Sequence, residues 1–394
     1  MRVLFDARFT RTDHHDGISR YGASLIAALA ATDDVVMLIS DLRQLALLPE
    51  VPHVLINSPL SPAELFVAAR INRLEPDVVV CPMQTMGSWG RRYPLVLTLH
   101  DLIYYQNPTP PSFLPLPVRV LWRLYHLAYW PQRLLLDRAD VVATISATTA
   151  GLIGHHRLTR RPVVLVGNAP QPTQRRRDPA APRSASLLYM GSFMPYKNVE
   201  TIVRAMEFLP THTLHLLSRI SPARRSELEA LSPAAGGVVF HDGVTDAEYE
   251  DLLGDSTALV TLSRAEGYGL PLIEAMAAGT PVIASDIPIF REVGGAAALF
   301  VDPDDPGALA DAVRSLDEPG RWAAASRAGL ERAATYSWGD SAGQLRDACR
   351  RAVAEYARRR TTRSFPTPSR MMSRTSSGAS SGASSDTSSG RTAP

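Results

Sequence analysis

The chain of 394 residues contains two cysteines and a single lysine. Cys81 and Cys349 cannot make a disulfide scaffold and offer no zinc-ligand spacing. No uncharged apolar run reaches about 18 residues, so no membrane-spanning helix is expected. The opening MRVLFDARFT is charged at once and lacks the apolar stretch of a secretion signal. A reducing cytoplasm is therefore the expected compartment. With 41 basic against 39 acidic residues the net charge is +2. That excludes a strongly basic nucleic-acid binder by bulk electrostatics, though not a local patch. Neither GxGxxG nor GxxxxGK(S/T) occurs, so neither a dinucleotide nor a P-loop nucleotide is implied. Ser146 follows an apolar run but has no GxSxG elbow, which argues against a hydrolase triad.

The rest of the composition is that of a globular protein, 45% hydrophobic and 20% charged. The length predicts two domains with a tail. Thr361–Pro394 is rich in serine, threonine and glycine, and reads as a low-complexity, disordered tail. Its four arginines and one aspartate account for the whole positive excess of the chain. Lys197 stands alone beside 40 arginines. An ammonium and a guanidinium are not equivalent at a phosphate, so the position that keeps a lysine draws attention.

Apolar runs alternate with amphipathic stretches along the folded part. RVLFDAR (Arg2–Arg8), VVMLIS (Val35–Ser40), DVVVC (Asp77–Cys81), PLVLTLH (Pro94–His100), ADVVATIS (Ala139–Ser146) and VVLVGN (Val163–Asn168) are strand candidates. A linker rich in proline and arginine follows, Pro170–Ser184. The second half repeats the rhythm in SLLYMGS, TLHLLS, GVVFHDG, ALVTLS, TPVIAS and AALFVD, between Ser186 and Asp302. Near-continuous apolar runs suit parallel strands buried on both faces. The pattern predicts an α/β protein with two doubly wound Rossmann-like domains, 1–170 and 185–338, facing a central cleft.

Two segments carry candidate chemistry. In SRAEGYGLPLIEAMAAGTPVIASDIP (Ser263–Pro288), Gly267 and Gly269 permit a tight turn, and Pro271 suits the first turn of a helix running to Gly279. Backbone N–H groups near Gly269 and Leu270 would then form an anion site at a helix N-terminus. Glu266 and Glu274 flank it, and a carboxylate accepts from two vicinal hydroxyls, as on a sugar or ribose. Glu274 is expected in the first turn of that helix. In YMGSFMPYKN (Tyr189–Asn198), a glycine turn at Gly191 leads to Lys197, expected where the next helix begins. Two positive features converging on one cleft point to a diphosphate. Asp302, Asp304 and Asp305 read as a turn before a helix rather than a metal motif. His14 and His15 are not expected to hold a metal. LPLPVRVLWRLYHLAYWPQRLLLDR places Arg119, Arg123 and His126 on one helical face with large apolar residues elsewhere. It reads as an amphipathic helix covering the first sheet, or as a contact with an anionic membrane.

EGYGLPLIEAMAAGTPVIASDIPIFREVGGAAALFVDPDD resembles the nucleotide-sugar half of glycosyltransferase family 4, retaining enzymes of the GT-B architecture. Glu266 and Glu274 match its E-x7-E motif. GISRYGASLIAAL, the LHD at Leu99–Asp101, and ADVVATIS fit the first half more loosely. The resemblance implies that Lys197 binds donor diphosphate, together with the backbone of Gly269 and Leu270 and a close approach at Gly17. It also implies that Glu274 holds ribose, Glu266 holds sugar hydroxyls near the reacting carbon, His100 lies near the sugar and Val244 near the base. Ser192 stands where many members carry an arginine, and Arg264 or Arg219 is the expected substitute. The closing TYSWGDSAGQLRDACRRAV resembles a last helix, 339–360, that crosses back to the first domain.

The implied activity is retaining hexosyl transfer, mannose favoured, from a GDP- or UDP-linked sugar, with no cofactor and no metal. A glycan, lipid-linked or small-molecule acceptor in cell-envelope or polysaccharide synthesis is expected. Peripheral contact with the inner membrane face is expected through 116–136. The competing readings are a non-catalytic sugar- or nucleotide-binding protein and a phosphorylase or epimerase on the same fold.

Overall fold

The computed structural model of the chain describes residues 1–110, 115–173, 177–180, 184–233 and 237–364. The low-complexity tail beyond Ser364, and the linker residues 174–176 and 181–183, lie outside the described residues. Within them the chain builds two parallel sheets. The first holds β1 (Arg2–Asp6), β2 (Asp34–Ile39), β3 (His53–Leu55), β4 (Val78–Cys81), β5 (Leu95–Leu99), β6 (Val141–Thr144) and β7 (Val163–Leu165), ordered β3-β2-β1-β4-β5-β6-β7. The second holds β8 (Ser186–Tyr189), β9 (Thr213–Leu216), β10 (Val238–Phe240), β11 (Ala258–Thr261), β12 (Val282–Ser285) and β13 (Ala298–Val301), ordered β10-β9-β8-β11-β12-β13. Every pairing is parallel, for example Val3 opposite Val35 on one side and Val78 on the other. Each chain direction reverses its lateral progress once, between β1 and β4 and between β8 and β11. Ligand sites in such sheets lie at those switch points, beyond the carboxyl ends of the strands.

The apolar runs become strands for the expected reason. Leu4, Phe5, Val79, Val80, Val96, Val142, Leu188 and Val260 are all buried, because helices cover both faces. The edge strand β3 has no such run. His53 and Leu55 are exposed and Val54 half-buried, and its residues give no apolar signal for a strand.

A buried ion network stiffens the carboxyl end of β1. The Arg8 guanidinium is fully buried and donates to Asp6 Oδ1 at 2.7 Å, Asp6 Oδ2 at 2.8 Å and Glu64 Oε2 at 2.6 Å. Gln44 Nε2 reaches the carbonyls of Arg8 at 3.0 Å and Thr10 at 2.6 Å. The loop from β1 to Gly17 is thereby fixed at its root.

The last helix, Trp338–Ser364, runs back onto the first domain. Ala342, Leu345, Ala348, Cys349 and Ala352 are buried in the same core as Leu25 and Leu29 of the Gly17–Ala30 helix. Arg346 Nε pairs with Asp33 at 2.8 Å, and Arg359 with Asp140. The helix continues through Thr361–Ser364, where the sequence reads as tail. Both cysteines are free and buried, and burial pushes the Cys349 thiol up to about 12.

Candidate active site

Local sequence dictates how each half presents its backbone to the gap between the domains. Asp16 caps the Gly17–Ala30 helix by accepting from Ser19 N at 2.9 Å. In the other half, Gly269 adopts φ +95°, which suits glycine, and begins the helix Leu270–Ala278. Pro271 occupies its first turn, no side chain caps it, and Gly279 at φ +83° ends it. A Cβ added at Gly17 would lie 3.9 Å from Leu270 Cδ1. The amino termini of two helices, one from each domain, thus face one another. Each carries partial positive charge at its terminus, so an anion would be favoured where they meet.

Lys197 and Glu266 meet beside that gap, on the loops that follow β8 and β11 at the switch point. The Lys197 ammonium donates to Glu266 Oε1, which also accepts from Ser263 Oγ at 3.0 Å. Both side chains are mostly buried. Lys197 differs from its expected place. It closes a 3₁₀ turn, Pro195–Lys197, and Asn198 at φ +54° separates it from the helix Val199–Ala205. Pro195 and the left-handed Asn198 set that turn apart from the helix, which the sequence reading merged with it.

Glu274 also needs correction. It is the fifth residue of its helix, in the second turn. Its half-buried side chain lies beside Tyr249, Arg20 and Asp246, and desolvation raises its pKa above the usual glutamate range. Tyr249 Oη is buried and lies against it. Arg20 reaches across from the first domain to Asp246 at 3.0 Å. Val244 sits half-buried between Gly243, at φ +107°, and Thr245, which caps the helix Asp246–Asp255.

The second domain's loop also packs on the first. A Cβ at Gly267 would fall 2.7 Å from Asp101 Oδ2, so only glycine admits the aspartate there. Asp101 is half-buried, and desolvation, with Glu266 adding to it, raises its pKa. Neighbouring His100 Nε2 lies 2.7 Å from the Pro82 carbonyl, which can only accept, so the proton is on Nε2 and Nδ1 is free to accept in the neutral ring. Burial lowers the His100 pKa and favours that neutral form. Asp101, Arg20 and Tyr249 carry no role in the sequence reading. Asp101 and His100 share the signal that marks this site, a position directly beyond the end of β5.

Other expectations fall away from the site. Arg264 is half-exposed and pairs its guanidinium with Asp304. The Arg219 side chain lies along Gly243. Asp304 N donates to Asp302 Oδ1 at 2.9 Å and Asp305 caps the helix Pro306–Ser315, a turn as the sequence implies. Gly191 N donates to Ser218 Oγ at 3.1 Å, at the root of the Lys197 loop. Ser146 caps the helix Ala147–His155. Among the described residues no group of three histidines, cysteines or acids converges as a metal site.

Glu292, on the helix Pro288–Gly294, accepts from Ala147 N at 2.6 Å and Thr148 N at 2.7 Å across the domain boundary. Tyr268 Oη donates to the Asn168 carbonyl at 3.0 Å. A carboxylate on a helix N-terminus and a tyrosine on the interdomain segment hold the two halves in register.

Residues 15–172 match Glycosyltransferase Family 4, and residues 184–318 match Glycosyl transferases group 1. The chain is 31% identical over 159 residues, 38% of its length, to O-antigen chain mannosyltransferase B of Escherichia coli, and covers 42% of that protein. It is 32% identical over 195 residues, 44% of its length, to a D-inositol 3-phosphate glycosyltransferase of Nocardioides sp., covering 43% of it. The chain thus spans less than half the length of these curated relatives. In fold it is similar to HepE of Anabaena, solved in complex with UDP and glucose. There the TM-score is 0.65 at 16% identity, over 88% of this chain and 98% of that one. Two doubly wound sheets facing a cleft are the GT-B architecture.

The Glu292 contact has a measurable consequence. Glu292→Ala should lower stability by about 1–2 kcal/mol, the scale of a charged cap in a partly buried setting. It should also raise the radius of gyration in solution scattering, as the halves separate. Unchanged stability and scattering would show that Glu292 does not hold the halves together.

Proposed function

The chain belongs to the group 1 glycosyltransferases, and from that premise we propose that it moves a hexose, mannose before glucose, from a nucleoside-diphosphate donor to an acceptor in cell-envelope or polysaccharide synthesis. The observation that carries this reading is the meeting of two helix amino termini at Gly17 and Leu270, with the Lys197–Glu266 pair on the adjoining loops. A diphosphate is the anion that two helix termini and a lysine would hold, with ribose on Glu274 and base toward Val244. The mannosyltransferase relative supports the hexose, and the UDP held by the HepE structure supports the donor class. A GDP-linked sugar remains the favoured donor. The inositol-phosphate relative keeps a small-molecule acceptor beside a glycan or lipid-linked one.

The mechanism follows from charge. Lys197 is neutralised by Glu266. An arriving diphosphate competes for the ammonium and frees the Glu266 carboxylate for sugar hydroxyls. As the bond between the anomeric carbon and the phosphate oxygen breaks, the electron pair leaves with the diphosphate and the sugar becomes oxocarbenium-like. Lys197 and the N–H groups at Gly269 and Leu270 meet the new phosphate charge more strongly in the transition state than before it. The departing phosphate accepts the acceptor hydroxyl's proton on the same face, and the new bond forms there with retention. Glu266 is not a nucleophile, unlike the second carboxylate of retaining glycosidases.

The acceptor side faces His100, Asp101 and the membrane-directed segment 116–136. In the helix Leu116–His126 no residue is buried, and Leu121 and Leu124 are exposed. It does not cover the sheet, and its apolar face supports peripheral contact with the inner membrane surface. Among the described residues no helix is long and apolar enough to cross a membrane.

The two carboxylates separate in kinetics. Glu274→Gln should mainly raise KM for the donor and the Kd of free nucleoside diphosphate. Glu266→Gln should mainly lower kcat, because its contacts tighten as the sugar gains charge. Steady-state rates and calorimetry on both variants decide this, and the reverse pattern would exchange the roles. If neither variant differs from wild type, the cleft is not the donor site.

Phosphate charge is met here by a lysine and two helix termini. Transfer should therefore persist in excess EDTA. Loss of activity in EDTA with recovery in manganese would mean that a metal shares the phosphate after all.

A further inference from the structure

A cavity of about 110 Å³ lies beyond the carboxyl ends of β4 and β5, beside the proposed transfer site. Ile18, in the first turn of the Gly17–Ala30 helix, and Asp101, which lies against Gly267, form the wall nearest that site. Met83 and Gln84 follow β4, and His100 follows β5. Tyr104 and Tyr105, on the short helix Ile103–Gln106, and His126, at the end of the helix Leu116–His126, add three rings. Tyr104 is 37% exposed, yet its ring packs edge-on against Trp122, with centroids 5.0 Å apart, and against His126 at 5.9 Å. Trp122 in turn packs on His126 at 4.0 Å. The rings are held in place before anything binds.

Gln132, on the helix Trp130–Leu136, also lines the cavity and is 1% exposed. Its Oε1 accepts from Tyr125 Oη at 2.7 Å, while its Nε2 is buried with no acceptor among the described residues. A buried amide donor left unpaired costs free energy, so a ligand oxygen that accepts from it is favoured. Two acceptors share the wall with that donor. His126 Nδ1 lies 2.8 Å from the Trp122 carbonyl and therefore carries the proton, which leaves Nε2 of the neutral ring to accept. Burial lowers the His126 pKa and favours that neutral form. Asp101 Oδ1 takes the Ile103 N–H at 3.0 Å, and the carboxylate keeps further lone pairs. A sugar hydroxyl both donates and accepts, as such a mixed wall requires. No arginine or lysine is among the described residues that line the cavity. Lys197, which acts on Asp101 from the donor side, is held by Glu266. A phosphate here would meet the Asp101 carboxylate with no counter-charge.

We infer that this cavity receives the terminal ring of an uncharged glycan acceptor, with the ring against Tyr104 and one of its hydroxyls on Gln132. The inference rests on the transferase reading above and narrows it. Among glycan, lipid-linked and small-molecule acceptors, it selects those that present a neutral sugar and sets aside a phosphorylated polyol. Aromatic walls with a few placed polar groups fix the orientation of a small ligand. Tyr104 and Gln132 thereby choose the acceptor, while Lys197, Glu266 and Glu274 serve the donor.

Ligand-observed NMR titrations of the full chain, in saturating GDP or UDP, test this with the methyl α-glycosides of mannose, glucose and galactose and with the 6-phosphate of each. At least one neutral glycoside should bind, and its 6-phosphate roughly tenfold more weakly or worse. Gln132→Leu and, separately, Tyr104→Ala should each weaken that glycoside roughly tenfold, the scale of one hydrogen bond or ring contact in a closed site. Tyr104 is partly exposed, so its variant decides the matter if the melting temperature shows that Gln132→Leu does not fold. Arg327→Glu, an exposed arginine of the other domain, should bind as wild type does. Calorimetry with GDP and UDP reads the donor site separately. A chain that binds nucleoside diphosphate but no glycoside overturns the acceptor assignment and leaves the donor reading standing. Equal or tighter binding of the 6-phosphates, or folded variants that bind as wild type does, overturns it in the same way. A chain that binds neither GDP nor UDP overturns the donor reading, and this inference with it.

Discussion

Two helix amino termini aimed at one gap set the terms for the rest of this molecule. Facing N–H groups of like partial charge repel unless something negative lies near them. Without ligand the structure supplies that charge in fixed carboxylates, Asp16 at the Gly17 helix and Glu266 on the loop before the Leu270 helix. Glu266 is in turn held by the chain's only lysine. The proposed exchange is of this internal charge for an anion that arrives from outside. A binding site with this property must draw on both domains, because neither helix terminus alone creates the gap.

Much of the architecture serves to hold that gap at one width. The buried Arg8 network and Gln44 fix the loop that enters the Gly17 helix. Breaking a buried pair of this kind leaves an uncompensated charge, so such networks hold geometry more than they add stability. Glu292 and Tyr268 tie the domains together from the other side, and the last helix clasps the first domain through Arg346 and Arg359. Gly267 meets Asp101 because the domains approach too closely there for any side chain. The same sheet that presents His100 and Asp101 at its carboxyl edge gathers arginines at its amino edge.

The sequence makes the repeating strands and the Leu270 helix legible, since both rest on local signals. Apolar runs specify buried strands, and the pattern of Gly269, Pro271 and Gly279 specifies a start and a stop. The edge strand β3 escaped because three residues with one exposed face carry no such run. Lys197 stands out by its rarity, but its 3₁₀ turn reads as a helix start, since Pro195 suits either. Glu274 was placed a turn too early. Asp101, Arg20, Tyr249 and Glu292 were missed for a common reason. Each acts across the domain boundary or through a burial that only tertiary packing creates. The arginines along the amino edge of the first sheet are spread from Arg91 to Arg360, and no window of sequence brings them together.

The central claim is that an external diphosphate takes the place of Glu266 on Lys197 within the gap. A crystal structure of the chain with a nucleoside-diphosphate sugar tests it directly. The account predicts phosphate oxygens between Gly17 and Leu270, Lys197 Nζ moved from Glu266 Oε1 to a phosphate oxygen, and ribose hydroxyls on Glu274. A nucleotide bound elsewhere, or one bound there while Lys197 remains on Glu266, would contradict it.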